Sequence, residues 1–211
     1  SGGVETHVKE ISERFVKRGH EVPVVTADAG KDGKRRERRS GVTVRRYRSI
    51  APNDAMHLCP QIVMAVRESE VDVVHAHNYH SFPLFFAALG IDDHRFVVTT
   101  HYHGGSANSV RDHLLSLYHP FGRWAVRRAD VIVAVSEWER EQLRSDVDTR
   151  ATVIPNGGDV GRFAKAKPIE RERPYLLAGA RLEAYNGVQN VIRAWPDLLE
   201  YDLLVVGSSP Y

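Results

Sequence analysis

Polar residues that could carry chemistry follow four successive apolar segments of the chain, each short enough for a β-strand. The four groups are His75-Ala76-His77, His101-Tyr102-His103-Gly104-Gly105, Ser136-Glu137-Trp138 and Asn156-Gly157-Gly158-Asp159. In an open parallel sheet, ligands bind beyond the carboxyl ends of the strands. Because four strand ends would bring these side chains to one edge, the sequence predicts a concave polar site there.

His101 is the strongest single candidate among the histidines. It directly follows the run Val97–Thr100 and precedes a Gly-Gly pair, where the backbone can approach a ligand closely. A packing or helix-capping role explains the same residue equally well. Ser136 has no histidine in its local sequence, so we expect it to cap a helix rather than to act as a nucleophile.

The histidines also raise the question of a metal. His75 to His80 nearly matches the H-x-H-x-D-H pattern of dinuclear zinc hydrolases, but Tyr79 stands where that pattern needs an Asp carboxylate. We therefore expect no metal, with His75 as a core residue at a strand end and His80 as a polar residue before a helix. The weakest alternative function is a metal-dependent hydrolase that uses five histidines: His75, His77, His80, His101 and His103.

Alternating strands and helices must position these residues. The sequence predicts strands at Val22–Thr26, Val42–Tyr47, Val71–His75, Phe96–Thr100, Val131–Val135 and Thr152–Ile154. It predicts helices at Val4–Phe15, Pro60–Glu68, Phe82–Leu89, Val110–Arg128 and Glu137–Arg144. The later strands are continuous β-branched runs, which is typical of a parallel sheet covered on both faces. The predicted fold class is α/β, with a doubly wound, Rossmann-like parallel sheet.

A second, incomplete Rossmann-like domain is predicted after a linker. We expect residues 1–158 to form the first domain, the polar residues 159–174 to be the linker, and residues 175–211 to begin the second domain. The opening Ser-Gly-Gly leads directly into a helix, so we expect a strand before it, and the 24 residues after Gly187 are too few for a βαβαβ half. A fragment with an open sheet and exposed apolar strands is expected to self-associate.

Composition limits the partners and the compartment. The chain has 42% hydrophobic and 27% charged residues, which is ordinary for a globular protein, and its net charge of +2 gives no reason to expect nucleic-acid binding. Nine basic and two acidic residues lie between Lys31 and Arg48, a pattern typical of a solvated loop and less often of a patch for an anionic membrane or acidic acceptor. One cysteine, Cys59, and no membrane-spanning apolar run favour a cytoplasmic protein, with peripheral contact at the inner face of the membrane as a variant of that expectation.

The segment Arg181-Leu182-Glu183-Ala184-Tyr185-Asn186-Gly187 lies between an apolar strand, Tyr175–Gly179, and an amphipathic helix. A strand-to-helix turn with Arg and Gly can hold phosphate. This turn is therefore predicted to bind an anionic ligand.

Taken together, several motifs in order resemble glycosyltransferase family 4, the nucleotide-sugar-dependent enzymes of the GT-B fold, over nearly the whole chain. The motifs are Ser1-Gly2-Gly3-Val4-Glu5-Thr6-His7, Gly19-His20-Glu21-Val22, Asp72-Val73-Val74-His75-Ala76-His77, Thr99-Thr100-His101, Asp130-Val131-Ile132-Val133-Ala134-Val135-Ser136, Ile154-Pro155-Asn156-Gly157 and Gly179-Ala180-Arg181-Leu182-Glu183. The resemblance implies transfer of a hexosyl unit from a nucleotide diphosphate-sugar to a lipid, sugar or small-molecule acceptor, with retention of configuration and without a metal cofactor.

The resemblance also assigns roles to residues. Gly2 and Gly3 would let the backbone approach the diphosphate, His101 would contact the transferred sugar, and Arg181 would pair with the phosphates. Contacts with the acceptor or the sugar are expected from His77, Tyr102, Ser136, Glu137, Asn156 and Gly157.

Two departures from the family weaken the donor site. The family usually has Lys at the position of Asn186, so one half of the phosphate clamp is neutral here. The glutamate pair that grips the donor in the family would lie downstream of this sequence. We therefore expect the chain by itself to transfer no sugar. A non-catalytic interaction module of the same fold stays open as the main alternative.

Overall fold

The computed structural model describes residues 3–28, 35–51, 56–103, 109–168, 170–180, 182 and 186–208. The chain divides into two compact units, Ser1–Gly157 and Gly158–Tyr211. Within the described residues, no helix combines the length and the apolar character needed to cross a membrane.

The first unit alternates helices with strands. Its helices are α1 (Gly3–Lys17), α2 (Gln61–Arg67), α3 (Phe82–Gly90), α4 (Ser109–Arg127) and α5 (Glu137–Gln142), and α5 continues into a π-helical turn, Leu143–Val147. Its strands are β1 (Pro23–Asp28), β2 (Arg36–Arg39), β3 (Val42–Arg48), β4 (Val73–His77), β5 (Arg95–Thr99), β6 (Val131–Ala134) and β7 (Thr152–Val153).

Strands β4, β5, β6 and β7 form a four-stranded parallel sheet in that order. The predicted α/β class with a parallel sheet is confirmed. At its carboxyl edge, His77 is in register with Thr99, and Thr99 with Val133. The segments that follow β4, β5 and β6 therefore leave the sheet side by side.

Strands β1, β3 and β2 form a second sheet, in which β1 and β3 are parallel and β2 runs antiparallel to β3. From Asp28 to Ser40 the sequence has turn residues and charges but almost no apolar residues, which predicts a loop. This prediction is wrong for β2. This strand has almost no apolar residues, and it is stabilised by pairing with β3 and by an ion pair of 2.6 Å between Glu37 and Arg46. A charged edge strand lacks the hydrophobic alternation from which strands are predicted.

The main core lies between the four-stranded sheet and its helices. Phe96, Val98 and Ala134 from the sheet are fully buried, as are Tyr79 after β4 and Val126 of α4. Burial on both sides explains why these strands read as continuous apolar runs rather than as alternating ones. A smaller cluster around Cys59, Ile62, Val66 and Ala87 joins α2 to α3.

The second unit contains α6 (Val160–Ala164), β8 (Tyr175–Gly179), α7 (Val188–Ala194), a 3-10 turn (Trp195–Asp197) and β9 (Asp202–Val206). Strands β8 and β9 are parallel. The short helix α6 lies within the segment predicted as a linker. Leu177 and Val206 are each 61% exposed, and they belong to the strands whose apolar faces were predicted to favour self-association.

Candidate functional site

Two predicted histidines end the edge strand of the four-stranded sheet. The sequence placed the end of this strand at His75, whereas β4 continues to His77. Because side chains alternate along a strand, His75 and His77 lie on the same face, and their ring centroids are 4.2 Å apart. His75 is fixed by a hydrogen bond of 2.8 Å between its Nε2 and Thr99 Oγ1 on the neighbouring strand.

Three histidines from separate elements meet beyond these strands. The ring of His7, from α1, lies 5.5 Å from that of His77 and 5.1 Å from that of His101, between centroids. The rings of His77 and His101 are stacked at 5.8 Å. One ring nitrogen from each residue can be chosen so that all three lie within 4.8 Å of one another. We call His7, His77 and His101 the histidine cluster.

The backbone beside the histidine cluster adopts uncommon conformations. His101 has φ +43° and Asn78, which follows His77, has φ +73°. Left-handed φ values are uncommon for residues other than glycine, and each costs on the order of 1–3 kcal/mol, which contacts elsewhere in the structure must offset. Both residues lie at the carboxyl edge of the sheet, just after the adjacent strands β4 and β5. The strain therefore falls where the sequence predicts a binding site.

A buried carboxylate holds the backbone on both sides of His101. Glu139 is only 1% exposed, and its Oε1 accepts hydrogen bonds from the hydroxyl of Thr100 and, at 2.5 Å, from the amide of Tyr102. Its Oε2 accepts from the amide of Val135 at 2.5 Å. One side chain thus ties the end of β6 to the loop after β5 and fixes the conformation of His101.

Burial keeps the histidine cluster neutral. Burial, with a smaller contribution from the neighbouring histidines, lowers the pKa of His77 to about 2 and that of His75 to about 4. Burial also lowers the pKa of His101 and of His7; the nearby Glu139 carboxylate raises that of His101 in part. Neutral imidazoles offer one N–H donor and one lone pair each, which suits hydroxyl groups and metal ions better than phosphate.

Three other predicted site residues have structural partners. Tyr102 is buried in the core, and its hydroxyl donates to Asp146 Oδ2 at 2.9 Å. Ser136 is the N-cap of α5, with its Oγ accepting from the amide of Glu139 at 3.1 Å, so the predicted capping role is confirmed. Glu137 is exposed and forms a surface ion pair with Arg140.

The remaining predicted residues are spread over both units. Gly3 begins α1, and a side chain added there would meet nothing within 4 Å. Asn156 and Gly157 are exposed after β7, and Asn186 is exposed in the second unit. Gly2 and Arg181 lie outside the described residues.

Sequence reasoning missed His7 and Glu139. Glu139 stands three residues after Ser136, the spacing of a capping box, and this motif was the available signal. His7 lies in the first turns of α1, four residues after Gly3. Nothing in its local sequence indicates that the tertiary fold brings its ring to the ends of the strands.

The five histidines of the hydrolase alternative do not form one group. His80 stacks on Tyr102 and lies 4.5 Å from His103, between ring centroids, whereas His75 neighbours the histidine cluster. Among the described residues, the only group of three or more potential metal ligands is the histidine cluster, which contains no carboxylate. The described residues therefore do not form the dinuclear metal centre that such a hydrolase needs.

An α/β unit built on a parallel sheet, with polar side chains beyond the carboxyl ends of the strands, defines a Rossmann-like class of protein. Comparison with known families narrows this class. Residues 1–162 match Glycosyltransferase Family 4, and the chain belongs to this family.

The curated relatives are similar over almost the whole chain. A phosphatidyl-myo-inositol mannosyltransferase of Mycolicibacterium smegmatis is 28% identical over 98% of this chain and 55% of its own length. Proteins of the same name from Mycobacterium tuberculosis and Mycobacterium leprae are 27% and 26% identical, over 56% and 57% of their lengths. The chain thus spans about half the length of the relatives that it matches.

Proposed function

We propose that this chain is part of a glycosyltransferase that moves a hexosyl unit from a nucleotide diphosphate-sugar to an acceptor hydroxyl, with retention of configuration. The observation that carries the proposal is the family match over residues 1–162. The relatives are named as mannosyltransferases acting on phosphatidyl-myo-inositol, so a mannosyl donor and an inositol phospholipid are the first pair to test.

The histidine cluster fits the sugar end of such a donor. Neutral imidazoles at His101 and His77 can donate to and accept from sugar hydroxyls, and the clamp at Glu139 holds His101 in place. Holding a reacting sugar in a fixed orientation lowers the entropic cost of the transfer.

In this proposal the phosphates bind at the start of α1 and at Arg181, not at the histidine cluster. The 15-residue helix α1 begins at Gly3, where open space lets the backbone approach an anion, and the helix dipole favours negative charge at this end. In the proposed reaction the bond from the anomeric carbon to the diphosphate oxygen breaks and a bond to the acceptor oxygen forms on the same face. The leaving phosphate takes the acceptor's proton, and Arg181 stabilises the developing negative charge.

The proposal is tested by assaying the full-length protein with UDP-, GDP- and ADP-sugars and an inositol phospholipid. We expect turnover with one nucleotide class, and an NMR coupling constant of the product that shows the anomeric configuration of the donor. The 211-residue chain assayed beside it should give none. If the folded full-length protein binds donors without turnover, the interaction-module alternative is correct; an inverted product would contradict retention.

The arginine residues between Arg35 and Arg48 support a peripheral contact with an anionic membrane surface. A concavity of about 510 Å³ is lined by Arg35, Arg36, Arg45, Arg46, Tyr47, Arg48 and Gln61. Arg36 and Arg45 lie directly opposite each other on antiparallel strands, where like charges repel. An anionic ligand would relieve this repulsion, so we propose that this face contacts acidic phospholipid headgroups.

Replacing both Arg36 and Arg45 by Gln should weaken binding to phosphatidylserine-containing vesicles by at least tenfold, because each basic residue near such a surface contributes about 1 kcal/mol. The matched control replaces Arg38 and Arg39, which change the charge equally but do not line the concavity. Vesicle sedimentation at fixed salt measures both. Equal losses in the two double variants would contradict a dedicated headgroup site.

A further inference from the structure

We propose that His7, His77 and His101 form a binding site for a first-row transition-metal ion such as Zn²⁺. This inference goes beyond the proposed sugar transfer, and metal binding can be tested without any sugar donor. Because the metal would use the imidazoles of His77 and His101 that the proposed sugar contact also uses, the two ligands would compete for them. The inference rests on three observations: the convergence of three imidazoles, two buried ring nitrogens without partners, and the ligand type of the group.

The convergence is close enough for metal coordination after small side-chain movements. The three ring nitrogens lie within 4.8 Å of one another. In a tetrahedral zinc site with Zn–N bonds of about 2.0–2.1 Å, ligand nitrogens are about 3.3 Å apart. Each pair therefore has to approach by about 1.5 Å or less, a distance within reach of rotation about the side-chain bonds.

Two buried polar atoms point to a missing partner. His77 Nδ1 and His101 Nε2 are shielded from solvent, and neither has a hydrogen-bond partner among the residues that the structure describes. Buried polar side-chain atoms are nearly always satisfied, so such atoms call for a specific explanation. A metal ion coordinated by these imidazoles would satisfy their lone pairs.

Neighbouring residues also hold two members of the histidine cluster, His77 and His101, in position. His75, held by Thr99, packs its ring against that of His77 at 4.2 Å between centroids. The Thr100 and Tyr102 contacts of Glu139 restrain His101 from both sides. The ligands come from a helix, a strand and a restrained loop, so little conformational entropy remains to be lost when a metal binds.

The ligand type decides the class of metal. Imidazole nitrogen suits Zn²⁺, Cu²⁺, Ni²⁺ and Co²⁺, whereas Mg²⁺ and Ca²⁺ prefer oxygen ligands, and the histidine cluster contains no carboxylate. Three protein ligands leave a fourth tetrahedral position open to water or to an oxygen of a ligand. The site would thus accept a transition-metal ion with one exchangeable coordination position.

The test uses the 211-residue chain without a polyhistidine tag. Isothermal titration should show one Zn²⁺ bound per chain and no binding of Mg²⁺, and Co²⁺ should give visible absorption bands typical of tetrahedral coordination. His7→Gln, His77→Gln and His101→Gln should each weaken Zn²⁺ binding by about tenfold or more. His20→Gln, which changes an exposed histidine outside the cluster, should bind Zn²⁺ as the unchanged chain does.

A second measurement needs no variant, so it decides the question even where a histidine variant does not fold. In the unchanged chain labelled with ¹⁵N in its 11 histidine rings, Zn²⁺ should shift the signals of three rings directly. Unchanged Zn²⁺ affinity in the folded cluster variants would overturn the proposal. So would a folded chain whose ring signals do not respond to Zn²⁺ at about 1 mM, a concentration at which even a site with a Kd of about 1 mM is half occupied.

Discussion

Glu139→Ala should lower the free energy of unfolding of the first unit by on the order of 3 kcal/mol or more. The substitution removes the acceptor of three hydrogen bonds, which are donated by the Thr100 hydroxyl and by the amides of Tyr102 and Val135. Each buried donor left without a partner costs about 1–3 kcal/mol. Water cannot easily replace the carboxylate, because Glu139 is 1% exposed.

Glu139→Gln separates the shape of this side chain from its hydrogen bonding. The amide keeps the volume of the carboxylate, but its NH₂ group would face donors that need an acceptor. We expect a loss of stability smaller than that of the alanine variant and larger than that of a surface change. His101 lies between two of the three donors, so its ring signal in NMR spectra should also move in the Gln variant.

Glu137 offers a matched control two residues earlier on the same helix. It is exposed, and its ion pair with Arg140 lies at the surface, where such pairs contribute about 0–1 kcal/mol. Urea unfolding followed by tryptophan fluorescence should therefore separate Glu137→Ala clearly from Glu139→Ala. Losses within about 0.5 kcal/mol of each other would show that the Glu139 clamp does not stabilise the strand ends.

The sequence predicts the parallel sheet well because its signal is local. Strands β5 and β6 are short, mostly apolar and β-branched runs with consecutive buried residues, and burial on both faces accounts for that pattern. Strand β2 was missed because its stability comes from pairing with β3 and from an ion pair. Neither interaction is visible in a window of neighbouring residues.

The site was predicted in part for the same reason. His77 and His101 follow apolar strand segments, so the rule for parallel sheets is enough to place both at one edge. His7 is separated from His77 by 70 positions, and only the packing of α1 places their rings 5.5 Å apart. Glu139 belongs to a capping box, but the sequence does not indicate that its carboxylate also holds the loop after β5.

Arg181→Ala in the full-length protein should reduce kcat for sugar transfer by on the order of 10²-fold or more, because it removes a cationic donor from the charge that develops on the leaving diphosphate. His101→Ala should also reduce kcat, while the dissociation constant of the free nucleotide changes by less than about threefold, since His101 is assigned to the sugar. Asn186→Lys should tighten donor binding if that position is a weakened half of the phosphate clamp.

His103→Ala is the matched control for His101→Ala, because it removes an exposed histidine two residues away from the same loop. It should leave kcat within about twofold, as surface substitutions away from a site normally do. Steady-state kinetics on the four variants measure sugar transfer, and donor titrations measure donor binding. Near-unchanged turnover in both Arg181→Ala and His101→Ala would remove the proposed transfer site, and the restrained geometry around His101 would then have to serve binding rather than catalysis.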